Sequence, residues 1–71
     1  MIQYYFINKD QTHNPGCHHE VHTEAHMRQL RIRNATYVGR FSNEVDAVRA
    51  AKRFYLDADG CKTCCPLSNR G

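Results

Sequence analysis

Four residues near the two ends of this chain have the types and the spacing of metal ligands. His13 and Cys17 are separated by three residues, and Cys61 and Cys64 are separated by two. Two ligands spaced in this way can reach one ion from a single tight turn, and zinc prefers a tetrahedron of thiolate and imidazole ligands. The spacing therefore predicts a structural Zn²⁺ site, with three cysteines and one histidine, that joins the two ends of the chain.

A second ligand set can be drawn from the same sequence. His22 and His26 are four residues apart, so on a helix they would lie on one face. Together with Cys61 and Cys64 they would form a site with two cysteines and two histidines. This alternative leaves Cys17 without a role. A chain without metal, in which reduced cysteines pack as small apolar residues, is the simplest reading of all.

Cys65 directly follows one of the predicted ligands. We expect it to be a free or buried thiol, although the sequence leaves open an exchange of ligand roles between Cys64 and Cys65. His18 extends the His22 and His26 series by one more helical turn. That stripe indicates either a solvated helix face or a segment that takes up metal.

The chain is short, and this makes a stabilising metal plausible. It has 71 residues, with no Trp, three Phe and four Tyr. A core of this size seldom supplies more than about 3–5 kcal/mol, so natural domains of this length commonly add a disulfide, a metal or a partner chain. Structural zinc contributes an apparent ~10–16 kcal/mol in small peptides. We therefore expect one domain over residues 1–66 and a frayed tail over residues 67–71.

The beginning of the chain bears on the state of its cysteines. Met1 to Ile7 is apolar, but it has neither a basic leader nor a small-residue cleavage site. No apolar run approaches the ~20 residues of a membrane span. We therefore expect a cytoplasmic protein with no membrane partner, in which clustered thiols stay reduced and bind metal rather than each other.

The pattern of residues predicts an α+β fold with a two- to three-stranded sheet and one or two helices. β-branched and aromatic residues predict two strands, and apolar residues at helical spacing predict the helices. Ser42 or Asn43 is expected to cap the clearer helix, whose apolar stripe would contain Val45, Val48 and Ala51. The predicted strands are Gln3 to Ile7 and Thr36 to Phe41. The clearer helix follows its cap and reaches Phe54 or Tyr55, residues 17–32 are ambiguous but could form a second helix, and a turn is predicted at 57–60.

The middle of the chain is basic. Between Met27 and Arg53 there are seven basic residues and two acidic ones, a net charge of +5. Such a stretch can bind the phosphates of DNA or RNA, or it can simply keep a small domain soluble. Tyr37 and Phe41 could stack on bases, but simple alternation along a strand puts both on one face, as core residues would also be. The candidate contacts are Arg28, Arg31, Arg33, Arg40, Arg49, Lys52 and Arg53.

The order of these motifs resembles the metal-binding domain of Ada-type DNA-repair methyltransferases. The resemblance rests on Tyr4-Tyr5-Phe6-Ile7, His13-x3-Cys17, Phe41-Ser42 before an Ala-rich helix, and Gly60-Cys61-Lys62-Thr63-Cys64-Cys65-Pro66. It implies a small sheet with one or two helices and a Cys/His zinc site. His13 stands where that family has its methyl-accepting cysteine, and an imidazole lacks the thiolate nucleophile. The segment from Cys17 to Phe41 is also longer than the family's spacing.

These observations favour a binding or structural role over catalysis. The sequence has no Ser-His-Asp order and no Gly-rich phosphate loop, and a full set of four ligands leaves zinc no open position. We therefore expect no enzymatic activity and no small-molecule substrate. The hypotheses are a zinc-stabilised domain that binds nucleic acid, a protein-interaction or structural module, and a His-rich metal-handling protein.

Overall fold

The computed structural model describes residues 1–11 and 18–70. The predicted ligands His13 and Cys17 lie outside the described residues. Four strands and two helices make up the described part of the chain, and the order of elements is β–β–α–β–α–β followed by a 3-10 turn. Their bounds are β1 Gln3–Asn8, β2 His19–Thr23, α1 Glu24–Gln29, β3 Ala35–Phe41, α2 Glu44–Ala51, β4 Ala58–Gly60 and the 3-10 turn Pro66–Ser68.

The strands form one mixed sheet in the order β3-β1-β2-β4. β1 is antiparallel to both of its neighbours, whereas β4 runs parallel to β2. The α+β class is confirmed. The prediction of two to three strands is wrong, because β2 and β4 join the two predicted strands to give a sheet of four. A turn is predicted at 57–60, whereas Ala58–Gly60 becomes a strand by pairing with β2.

One face of the sheet carries the small apolar core. Tyr5 and Ile7 of β1 and Val21 of β2 are buried on this inner face, where they pack with the buried face of α2. Side chains alternate along a strand, so Tyr4 and Phe6 of β1 lie on the opposite, outer face. The core contains few large side chains, as the composition predicted.

A bulge in β3 changes which face its aromatic residues occupy. The pairing of β1 with β3 shifts between Tyr5 and Phe6, opposite the segment that contains Gly39. Gly39 has φ 151°, a conformation that favours glycine. Because of this shift Tyr37 lies on the outer face, 48% exposed, while Phe41 packs against the core. The expectation that both residues share a face is therefore wrong.

Helix α2 is where the sequence predicts a helix, with one correction to its buried face. Asn43 is the cap, since its side-chain oxygen accepts a hydrogen bond of 2.8 Å from the backbone N–H of Asp46. Val48 and Ala51 are buried as predicted, but Val45 is 46% exposed and Ala47 takes its place. Ala47 and Ala51 are four residues apart, so they also lie on one helical face.

The predicted helix over residues 17–32 is wrong in its described first half, which forms β2. Val21 and Thr23 are β-branched and favour a strand, and backbone pairing with β1 on one side and β4 on the other completes it. Only Glu24–Gln29 is helical, and none of its residues is fully buried. His18 and His22 consequently lie buried in the sheet rather than along a solvated helix.

The end of the described chain returns to β4. The side-chain amide of Asn69 donates to the carbonyl of Gly60 at 2.9 Å, and the backbone N–H of Arg70 donates to the carboxylate of Asp59 at 3.0 Å. The division into a domain over residues 1–66 and a tail over residues 67–71 stays a prediction. Within residues 1–11 and 18–70, neither helix has the length and apolar character needed to cross a membrane.

Candidate metal centre

The structure brings two histidines and two cysteines together beside the junction of β2 and α1. His22 comes from β2 and His26 from α1, and Cys61 and Cys64 follow directly after β4. One ligand atom from each residue lies within 4.8 Å of all the others. Among the described residues, this is the group of His, Cys, Asp and Glu side chains that meets the geometry of a metal site.

The distances within this cluster fit a tetrahedral zinc ion. The Nδ1 atom of His26 lies 3.6 Å from Cys61 Sγ, and the Nδ1 atom of His22 lies 3.8 Å from Cys64 Sγ. With Zn–S near 2.3 Å and Zn–N near 2.0–2.1 Å, a tetrahedron places its nitrogen and sulfur ligands about 3.6 Å apart. The two cross pairs therefore already have the required spacing, and the remaining pairs, all within 4.8 Å, need to close by about 1.5 Å at most.

Thr23 sets the positions of both histidines. Its side-chain oxygen accepts a hydrogen bond of 3.3 Å from the backbone N–H of His26, which makes it the cap of α1. Its own N–H donates to Cys64 Sγ at 3.4 Å. The chain thus changes from strand to helix between His22 and His26, and this change turns both rings toward the cysteines.

The cysteine pair is held by a tight turn at the end of β4. The N–H of Cys61 donates to the carbonyl of Val21 at 2.9 Å, which extends the pairing of β4 with β2. The N–H of Cys65 donates to the carbonyl of Cys61 at 2.8 Å and closes the turn. At Gly60 an added Cβ atom would lie 2.6 Å from the carbonyl oxygen of Cys65. Glycine is required there because this turn folds back against the strand.

The three described cysteines are free thiols with different roles. Sγ of Cys65 lies 3.8 Å from Sγ of Cys64. A hydrogen bond from the Cys65 thiol, helped by His22 and the Thr23 N–H, lowers the pKa of Cys64 well below its ordinary value. The same shared proton, together with burial, raises the pKa of Cys65. This pair therefore holds its negative charge on Cys64, the sulfur that faces His22.

Cys61 differs from Cys64 in its electrostatics. Burial raises the pKa of the Cys61 thiol, against backbone hydrogen bonds from Cys64 and Thr63 that act in the opposite direction. A divalent cation deprotonates a thiol that coordinates it. Cys64 thus supplies a ready thiolate, and Cys61 would lose its proton when metal binds.

A carboxylate lies behind the histidine that is contributed by β2. The Nε2 atom of His22 is buried and has no hydrogen-bond partner among residues 1–11 and 18–70, and Glu20 Oε1 lies 3.6 Å from it. The other oxygen of Glu20 lies 3.7 Å from Nε2 of His18, which also has no hydrogen-bond partner in the described part of the chain. In metal sites a ligating histidine commonly donates its second N–H to a carboxylate, which fixes its tautomer. Glu20 has the position for this role.

Two of the four predicted ligands thus lie in the cluster. Cys61 and Cys64 are there, while the participation of His13 and Cys17 stays a prediction. The nitrogen ligands His22 and His26 belong to the alternative set that the sequence offered. Their four-residue spacing was the signal, but they reach the site from a strand end and a helix start rather than from one helix.

The predicted nucleic-acid contacts do not form one patch. All seven are exposed. Arg49, Lys52 and Arg53 belong to α2 and the turn after it, and α2 covers the inner face of the sheet. Arg40 pairs with Tyr4 across β1 and β3 and lies on the outer face. The basic residues are therefore divided between two sides of the sheet.

No protein-family model matches this chain, and no significant match was found among curated proteins or solved structures. The resemblance to the Ada metal-binding domain is thus limited to the presence of a Cys/His cluster in a small α+β fold.

Proposed function

We propose that this chain is a small zinc-binding domain whose metal serves the fold. The observation that carries the proposal is the convergence of His22, His26, Cys61 and Cys64, with ligand atoms within 4.8 Å of one another. Two thiolates and two neutral imidazoles around Zn²⁺ give a site with no net charge, which suits a half-buried position.

Zinc is favoured over other metals by the chemistry of these ligands. Thiolate and imidazole together suit zinc, whereas Mg²⁺ and Ca²⁺ require oxygen ligands. Two ligands come from the adjoining β2 and α1, and two come from a turn about 35 residues further along the chain, so one ion would tie α1 and the cysteine turn to the sheet. Metal binding would then contribute directly to folding, because the unfolded chain has no preformed site.

The test of this proposal is metal content measured on single variants. Zinc in protein purified without added metal should be near one per chain, and His26→Gln or Cys61→Ser should abolish or strongly reduce it. His19→Gln is the matched control, since His19 packs on Tyr55 away from the cluster. Equal zinc in all variants, or none in the parent chain, would reject the proposal.

The finer parts of the function are also proposals. Four protein ligands leave no open coordination position, which supports a structural ion and no enzymatic activity. The lining of the groove beside α2, which contains Val48, Arg49 and Lys52, includes none of the cluster residues. A metal site that uses thiolate ligands would be favoured by a compartment that keeps thiols reduced, which supports a cytoplasmic location. A resemblance to the Ada metal-binding domain is supported by the order of the motifs in the sequence.

Binding of nucleic acid is a second candidate function, favoured by unpaired positive charge. Among the described residues Arg28 pairs with Glu24 and Arg49 with Asp46. The five others have no ion pair within residues 1–11 and 18–70, and they are Arg31, Arg33, Arg40, Lys52 and Arg53. Affinity for DNA or RNA that falls steeply with salt would support this function. Unchanged NMR shifts with both nucleic acids at low salt would reject it in favour of a protein-interaction module.

Metal handling is the third candidate. It requires more than one metal ion per chain, with the excess lost when His18 is replaced. The burial of His18 and His22 disfavours it, because a surface that loads and releases metal needs accessible ligands. The same elemental analysis decides between one structural ion and several exchangeable ions.

A further inference from the structure

The outer face of the sheet carries aromatic rings that no core explains. Tyr4 on β1 is 46% exposed and Tyr37 on β3 is 48% exposed, and Phe6, also on β1, is half-buried. The ring centroid of Tyr37 lies 6.4 Å from that of Tyr4 and 5.2 Å from that of Phe6. The three rings form a continuous ridge across β1 and β3, which we name the aromatic ridge.

Positive charge borders this ridge. Arg40 is the cross-strand partner of Tyr4 and is exposed. Arg31 and Arg33 are exposed in the segment that leads into β3. None of these three arginines forms an ion pair with any residue of the described ranges. The outer face therefore combines flat rings with the unneutralised guanidinium group of Arg40, and two more such groups precede β3 in the chain.

We propose that the aromatic ridge binds single-stranded nucleic acid, with bases stacked on Tyr4 and Tyr37 and phosphates near Arg40. This inference rests on the second candidate function and assigns it a surface and a substrate class. Every base has a flat π-face that stacks on aromatic side chains, and only an unpaired strand exposes it. Guanidinium groups supply the accompanying phosphate contacts. A duplex would present its backbone alone and gain nothing from the rings.

The chemistry of the ridge favours this occupant over an apolar one. Two of its three residues are tyrosines, whose hydroxyl groups stay hydrated, and it lacks exposed aliphatic side chains on the described residues of β1 and β3. Aromatic residues also occur at protein interfaces, so a second copy of this chain is the competing occupant. The positive charge at Arg40 opposes that occupant, because two identical ridges would bring like charges together.

The experiment is a titration of fluorescently labelled single-stranded DNA and RNA oligonucleotides at low salt. Tyr37→Ala should weaken binding about 5- to 150-fold, the range expected for loss of stacking on one base. Tyr37→Phe should bind normally, because it keeps the ring. Phe54→Ala is the matched control, since Phe54 is 44% exposed just beyond α2 and lies away from the ridge. Arg40→Ala should lower the salt dependence by about one phosphate contact.

The other outcomes separate this inference from the functions on which it rests. Binding that survives Tyr4→Ala and Tyr37→Ala but is lost with Arg49→Ala and Arg53→Ala would overturn the ridge and leave polyanion binding through α2. No binding of any oligonucleotide would overturn both. Self-association that Tyr37→Ala abolishes, without oligonucleotide binding, would assign the ridge to a second copy. Zinc content is measured on each variant as well. It tests the proposed metal site independently of oligonucleotide binding and shows whether a substitution on the ridge has disturbed that site.

Discussion

The Nδ1 atom of His26 lies 3.6 Å from Cys61 Sγ, although 35 residues separate them in the sequence. This contact joins α1 to the turn after β4. The two segments are neighbours because β4 pairs in parallel with β2, the strand that leads into α1. His22 and Cys64 form the second such contact at 3.8 Å. The candidate metal centre is therefore a consequence of how the sheet is completed, and zinc retention and the stability of the sheet should be linked.

Gly60 is where this linkage can be tested most locally. Gly60→Ala should destabilise the fold and reduce zinc retention, because the new methyl group would meet the backbone of Cys65 at 2.6 Å and Ser68 Cβ at 2.8 Å. Backbone atoms in a closed turn cannot move aside cheaply. Thermal unfolding followed by circular dichroism, with zinc measured in parallel, checks this. Ala50→Gly, in α2, is a control that alters backbone freedom away from the turn and should leave zinc content unchanged.

Asn43 gives a prediction that does not involve the metal. Asn43→Ala should lower the free energy of unfolding by about 0.5–2 kcal/mol, since it removes the cap that accepts from the N–H of Asp46. Ser42→Ala should have almost no effect, because Ser42 is exposed and lies before the cap. Urea denaturation of the two variants provides the comparison. Equal losses would show that the cap is not Asn43.

Cys65 should matter for packing rather than for coordination. It is fully buried, and its thiol faces the Cys64 sulfur. Cys65→Ala should keep one zinc per chain while destabilising the fold by about 1–2 kcal/mol through the cavity that it leaves. Elemental analysis and urea denaturation measure the two effects separately. Loss of zinc in Cys65→Ala, with zinc retained in Cys64→Ala, would mean that the adjacent cysteines have exchanged roles.

Asp57 links the start of β2 to the turn before β4 and should make stability depend on pH. Burial opposes its ionisation, but hydrogen bonds from Gln11 and His19 outweigh it and lower the pKa of Asp57 below its ordinary value of 3.8. A carboxyl group with a lowered folded-state pKa stabilises the fold above the unfolded-state value, and this contribution is lost as the pH falls through the folded-state value.

The corresponding variant is Asp57→Asn. Its deficit in stability relative to the parent chain should be full above about pH 5 and should vanish progressively below pH 4, where the parent carboxyl group also becomes neutral. Denaturation curves of both proteins between pH 3 and pH 7 measure this difference. A deficit that is independent of pH would show that Asp57 acts through shape alone.

Much of the fold could be predicted from sequence because it depends on local signals. The β-branched and aromatic run of β1, the cap at Asn43 and the glycine of the β3 bulge all act over a few residues. β4 could not be predicted in this way, because Ala58–Gly60 has no strand propensity and is defined by its pairing with β2. The aromatic ridge could not be predicted either, because the bulge in β3 places Tyr37 and Phe41 on opposite faces, whereas simple alternation would place them on the same face.

Only half of the residues of the candidate metal centre are common to both ligand sets that the sequence offers. These residues are Cys61 and Cys64, and the two-residue separation that identifies them as candidate ligands is a local property of the sequence. The choice between His13 with Cys17 and His22 with His26 depends on which pair the tertiary fold brings to the cysteine turn. The described structure supplies His22 and His26, and Thr23 is the residue that turns the chain between them.

The number of sulfur ligands on the metal tests the account most directly. X-ray absorption at the zinc edge of the purified protein should show two sulfur and two nitrogen ligands, as His22, His26, Cys61 and Cys64 require. Cys17→Ser should leave that spectrum unchanged, and His26→Gln should alter it. Three sulfurs and one nitrogen, with a spectrum that changes in Cys17→Ser and not in His26→Gln, would contradict the account and assign the site to His13, Cys17, Cys61 and Cys64.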